Sequence, residues 1–174
     1  YRFFGCLESK EKAHRSVKYV FSKMRDDFSF NYWANEHDSI IDNYHTGFVI
    51  RHLKDILKNI DCDEYENDLK ECRKFYFNNL VTPEGIPKFT PNSVYPIDIH
   101  SVAELLLMYE VFFNDNLYEK ELIYRSLNYI LDNFLNNDNS FKFQINPKKI
   151  DDMPYMRWGQ SWMLLSLSRI LKIL

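Results

Sequence analysis

Glycine is scarce in this chain, four residues in 174, which argues against long flexible loops and against glycine turns that cradle phosphate. Neither a G-x-x-x-x-G-K string followed by Ser or Thr nor a G-x-G-x-x-G string occurs. The cysteines, Cys6, Cys62 and Cys72, make an odd count with no C-x-x-C pair. That usage points to reduced, buried thiols in a cytoplasmic protein and away from a disulfide framework. His37, His45 and His52 form no H-E-x-x-H or comparable set, so neither metal nor cofactor is expected. Ser101, Ser161 and Thr46 lack a G-x-S-x-G context for a nucleophile. The absence of D-x-D-D and D-D-x-x-D strings disfavours isoprenoid cyclisation. No apolar run approaches the ~20 residues of a membrane span, and no signal peptide is recognisable. A formal net charge of −3 gives no global reason to expect nucleic acid or an anionic membrane. Lys70, Arg73 and Lys74 read as a solvated outer face.

What the chain has in quantity is aromatic side chains, 12 Tyr and 14 Phe among them, carried on two kinds of helical pattern. One kind is amphipathic. In 8–26, Ala13, Val17, Val20, Phe21 and Met24 trace one stripe at the 3.6-residue period, with Ser9 as the expected N-cap. Segments 64–80 and 117–135 repeat that pattern. The other kind is apolar nearly all round, as in 45–60, 100–113 and 158–174, and such a helix must be surrounded. Exposed and buried helices therefore alternate strictly, which describes two layers of helices in place of a simple bundle.

The approaches to the three apolar helices also resemble one another. Each has a short alternating aromatic/polar stretch of strand-forming type, within 28–33, 85–90 and 140–145, followed by a polar-aromatic cluster. Those clusters are Ile41-Asp-Asn-Tyr-His-Thr-Gly-Phe, Tyr95-Pro-Ile-Asp-Ile-His-Ser and Met153-Pro-Tyr-Met-Arg-Trp-Gly-Gln-Ser-Trp. The period is 56 positions from Asp42 to Asp98 and 57 from Asp98 to Tyr155. A fixed period of one helical hairpin is the mark of a repeat architecture. The fold expected is all-α, an (α/α) toroid, with three hairpins at about 7–60, 61–113 and 114–174 joined by short β-hairpin-like connections. Three hairpins make an open arc, about half of a six-hairpin ring. With no initiator Met, residues 1–174 read as a single domain, the C-terminal part of a larger ring. Its partners would then be the missing N-terminal hairpins or another subunit.

In such a ring the inner helices turn their N-terminal ends, with free N–H groups and positive dipole, toward a central mouth. All three clusters fall at those ends. Asp42, Asp98, His45 and His100 are the candidate catalytic residues. Asn43, Tyr44, Tyr95, Tyr155, Arg157, Trp158 and Gln160 are the candidate binding residues. Acids, imidazoles, a guanidinium and aromatic rings converging on one place suit a sugar, whose C–H faces stack on rings while its hydroxyls take polar groups. Arg157 would hold a carboxylate or phosphate. A carboxylate pair is the minimal apparatus for glycoside hydrolysis, while a His or Tyr beside a uronate would serve a lyase or epimerase. The structural alternatives are equally concrete. Asp42 and Asp98 would be helix caps, His45 and His100 buried imidazoles bonded to backbone, Tyr44, Tyr155 and Trp158 packing groups, and Arg157 a partner of Asp151 or Asp152.

The three cluster strings resemble those of bacterial and archaeal proteins from polysaccharide-biosynthesis loci, a group placed broadly with the six-hairpin glycosidase-like toroids. The likeness runs from about residue 26 to the C-terminus and matches the later half of the family's ring. Some of these relatives are called aminolevulinate dehydratases, an enzyme type built as a β/α barrel, whereas this chain reads as helix throughout. The resemblance implies a toroid fold and a carbohydrate ligand, in a superfamily of glycoside hydrolases, unsaturated glucuronyl hydrolases, lyases and epimerases. The functions left in competition are an enzyme acting on a polysaccharide or its precursor, a non-catalytic glycan-binding component, and a helical-repeat interaction scaffold.

Overall fold

The computed structural model of the chain describes residues 5–34, 39–60, 62–113 and 120–174. Among the described residues six α-helices follow in order: α1 (Leu7–Phe21), α2 (Asn43–Ile60), α3 (Glu66–Asn79), α4 (Ile99–Phe112), α5 (Lys120–Phe134) and α6 (Ser161–Ile170). A 3₁₀ turn, Asp63–Tyr65, leads into α3, and a π-helical turn, Met156–Gln160, leads into α6. His37, and the start expected for the fifth helix at residue 117, lie outside the described residues.

The amphipathic stripe of α1 buries Val17 and Phe21, and Phe21 stacks flat on Tyr65 at 4.4 Å. Ser9 is not its cap. The helix starts two residues earlier, where the carbonyl of Cys6 takes the N–H groups of both Ser9 and Lys10. α4 is buried without a break from Ser101 to Tyr109 and packs between α2 and α6, with α5 outside it. Each large side chain it withdraws from water stabilises the fold by about 1.5–3 kcal/mol.

α2 and α6 depart from the all-round burial expected of them. Phe48 on α2 is partly exposed, and Leu164 on α6 and Leu171 just after it are more than 70 % exposed. Both helices bury one face against α4 and leave another bare, so only the central helix of the three is enclosed. The expected burial of the cysteines also holds in part: Cys62 and Cys72 are buried, and Cys6 is exposed.

Strands are fewer than the alternating stretches predict. β1 (Ile97–Asp98), β2 (Gln144–Asn146) and β3 (Lys149–Asp151) form one antiparallel sheet in the order β1-β2-β3, with Asp98 opposite Gln144 and Gln144 opposite Asp151. No strand is assigned within 28–33, and 85–90 holds only the isolated bridges Val81–Pro87 and Thr90–Ser93.

What recurs instead is a turn. After α1, α3 and α5 respectively, Arg25, Thr82 and Asn136 each donate an N–H to the carbonyl four residues on. Each also accepts at its own carbonyl from the N–H three residues on. The third residue after each is left-handed: Phe28 (φ 65°), Gly85 (φ 84°) and Asn139 (φ 67°). Only Gly85 takes that conformation freely. At the other two turns Asp27 and Asp138 accept both the N–H and the hydroxyl of Ser29 and Ser140, which holds the loop closed.

Candidate functional site

The approach segments and the first turns of α2, α4 and α6 together line one cleft of about 920 Å³. From α2 and its approach come Asp42, Tyr44 and His45. From α4 come Asp98, His100 and Ser101. The π-turn and α6 supply Trp158 and Trp162. Tyr32, Trp33, Ile40 and Phe89 complete the wall, and a smaller recess of about 130 Å³ opens beside Asp42 and His45.

Each aspartate does two things. Asp42 Oδ1 accepts the backbone N–H of His45 at 2.8 Å, the bond of an N-cap to the third residue of its helix. The imidazole Nδ1 of the same histidine lies 3.0 and 2.9 Å from the two carboxylate oxygens. Asp98 caps α4 through the N–H of His100 at 2.8 Å, and the His100 Nδ1 lies 2.9 Å from the same oxygen. An ionised carboxylate only accepts, so in both pairs Nδ1 bears a proton; Nε2 then carries the lone pair in a neutral ring and a second N–H in a protonated one. Neither Nε2 makes a hydrogen bond among the described residues, and neither does Asp98 Oδ2.

Tyr44 stands between the two imidazoles, its ring centroid 4.8 Å from His45 and 5.2 Å from His100, with Trp162 at 5.9 Å. Burial pushes its phenol above the ordinary range, and the nearby Glu104 carboxylate adds to that, so the hydroxyl stays a proton-bearing donor. On the far side of His45, Tyr32 meets the ring edge-on at 4.6 Å and in turn meets Trp33 at 4.9 Å.

Beneath this row a buried ion pair joins the two helices. Arg51 of α2 holds Glu104 of α4 with both arms, Nε to Oε1 at 2.8 Å and Nη2 to Oε2 at 3.0 Å. Glu104 is fully buried, and burial pushes its carboxyl up while the guanidinium pulls it back. Gly47 makes the crossing feasible. A Cβ there would lie 2.6 Å from Glu104 Cγ and 2.9 Å from the Tyr76 ring.

The remaining candidates from the sequence lie elsewhere. Asn43 is buried facing the opposite way, its amide donating to the Leu80 carbonyl at 2.7 Å and accepting from the Tyr76 hydroxyl at 2.8 Å. Gln160 clamps the backbone of Phe141 at both N–H (2.9 Å) and carbonyl (2.7 Å). Tyr155 packs on Phe143 at 4.8 Å, and Tyr95 precedes the cis bond to Pro96; neither lines the cleft. Arg157 is exposed, off the cleft lining, and forms no ion pair with Asp151 or Asp152 among the described residues. So Asp42, Tyr44, His45, Asp98, His100 and Trp158 come together, while Asn43, Tyr95, Tyr155, Arg157 and Gln160 do not.

Of the lining residues not singled out from sequence, Trp162 had the plainest signal, standing one helical turn after Trp158. Glu104, buried beneath the cleft and not part of its lining, had one as well, as the one charge inside the apolar run from Val102 to Met108, where an unpaired carboxylate would be prohibitive.

No protein-family model matches the chain, and no curated protein matches it. Among the described residues no three His, Cys, Asp or Glu side chains are gathered as a metal ion would need, and no helix is long and apolar enough to cross a membrane. What the geometry offers chemically is two carboxylate-oriented imidazoles, one free carboxylate oxygen and a protonated phenol, all within aromatic walls.

Proposed function

We propose that this cleft is the mouth of an (α/α) toroid arc and that it binds and processes a sugar unit of a polysaccharide or its precursor, in the cytoplasm. The observation that carries the reading is the convergence of two Asp-held imidazoles on one aromatic-walled cleft. Rings such as Trp158, Trp162 and Tyr44 present apolar faces to a pyranose, while the carboxylates, imidazoles and the Ser101 hydroxyl meet its hydroxyls.

Among hydrolase, lyase and epimerase chemistry, hydrolysis fits best. Cleavage needs one group to protonate the leaving oxygen as the C–O bond breaks and another to take a proton from the attacking water. An imidazole protonated on both nitrogens gives the leaving oxygen its proton through Nε2, and the other imidazole, with the lone pair of its Nε2 free, takes the proton of the attacking water. Abstraction of a proton beside a uronate carboxylate would call for a cation to hold that carboxylate, and none lines the cleft among the described residues.

A second reading, a glycan-binding site without turnover, draws on the fact that both aspartates already serve as helix caps. The test is a glycan-array screen followed by mass-spectrometric product analysis on the wild type and on a His45→Ala/His100→Ala variant. Binding by both with product from the wild type alone is the expected result. Binding without product from either moves the assignment to the second reading. No binding by a folded wild type overturns the carbohydrate assignment.

A further inference from the structure

The charge inventory of the cleft narrows the sugar. Its described lining contains two carboxylates, two imidazoles and no Lys or Arg. Each imidazole spends its Nδ1–H on its own aspartate. With the carboxylates ionised, each pair is therefore either anionic or neutral, whichever form the ring takes, and never positive. The helix starts do not reverse this, because the positive ends of α2 and α4 are already occupied by Asp42 and Asp98. Arg157, the one guanidinium in the three clusters, stands off the lining. Meanwhile Asp98 Oδ2 has no hydrogen-bond donor among the described residues, although its side chain is only 18 % exposed. The same cleft is lined by Tyr44, Trp158 and Trp162, whose ring faces attract cations.

Building on the carbohydrate reading, we infer that the cleft takes a basic sugar, a hexosamine unit with a free ammonium group, and rejects uronates. Asp98 Oδ2 receives the ammonium as an acceptor of a charge-assisted hydrogen bond, and the rings stack on the apolar face of the pyranose. An N-acetylated unit keeps the stacking and loses the charge. A uronate brings a third carboxylate against two with no cation to hold it.

The test uses the whole chain and three matched β-1,4-linked tetrasaccharides, of glucosamine, N-acetylglucosamine and glucuronate, by titration calorimetry at physiological ionic strength. The glucosamine oligomer is expected to bind about tenfold tighter than the N-acetylated one, with no measurable binding of glucuronate. In Asp98→Asn, whose amide oxygen can still cap α4, the preference for the amine disappears while binding of the N-acetylated oligomer persists. Should that variant not fold, the wild-type ranking of the three oligomers still decides. Glucuronate or N-acetylglucosamine binding as tightly as glucosamine overturns this inference and leaves the carbohydrate reading standing. Spermine competing as well as the glucosamine oligomer overturns it too, by reducing the preference to bulk charge. Failure of all three sugars to bind a folded protein overturns both.

Discussion

The two aspartate–histidine pairs are built from the same residue types at the same station, the first turn of a helix facing one cleft, and they leave different atoms free. In Asp42-x-x-His45 the histidine stands at the third helical position. Its imidazole reaches both carboxylate oxygens, the carboxylate is nearly covered, and the ring is half-exposed. In Asp98-x-His100 the histidine stands one position earlier. Among the described residues only Oδ1 is engaged, and ring and carboxylate are equally covered. A single residue of spacing therefore separates a closed carboxylate with an open imidazole from an open carboxylate with a sheltered imidazole. The two helix starts form an asymmetric site from a repeated plan.

The largest perturbation of this comparison comes from below, where both pairs share one footing. Replacing Glu104 with Ala leaves Arg51 buried without its partner and is expected to cost about 3–5 kcal/mol of unfolding free energy, read from the urea midpoint. A loss under about 1 kcal/mol would mean that apolar packing alone holds α2 and α4 in register.

Next in size are the caps. Asp42→Ala and Asp98→Ala should each lose about 1 kcal/mol, by thermal or urea unfolding, because each removes an acceptor from a helix start. The corresponding Asn variants should lose less. Equal losses in the Ala and Asn forms would show that the imidazole contact, and not the cap, carries the stabilisation.

A finer contrast lies in access. His45 should be carbethoxylated several-fold faster than His100, measured peptide by peptide in a mass spectrometer, and equal rates would erase the exposure difference. The smallest expected effect is spectroscopic. In Asp42→Asn the ring-nitrogen shifts of His45 should move while those of His100 stay, and the reverse should hold in Asp98→Asn. Joint movement would make the pairs one coupled unit.

Much of the fold was legible because periodicity reports burial directly. The stripe through Val17 and Phe21 and the unbroken apolar run of α4 behave as their patterns require. The approach strands misled because alternation in 28–33 and 85–90 is satisfied by left-handed turns closed by Asp and Thr side chains, which an alternation pattern does not register.

At the site, cluster membership proved too coarse a criterion. Neighbouring residues on a helix project about 100° apart, so Asn43 turns into the core beside a cleft-facing Tyr44, and Gln160 turns away from Trp158. Phe89, Tyr32 and Trp33 come from loops whose contribution depends on tertiary placement, and nothing local in the sequence marks them.

Asn43 also changes how the cleft can move. Its backbone N–H donates to the Phe89 carbonyl, its side-chain amide to the Leu80 carbonyl, and it accepts from Tyr76 at the core of α3. The segment from α3 to Phe89 is thereby fastened to the residue next to Asp42. Opening of the cleft wall at Phe89 and fraying of the α2 start become one event, and hydrogen exchange at the Asn43 backbone N–H, which the Phe89 carbonyl holds, is expected to report it.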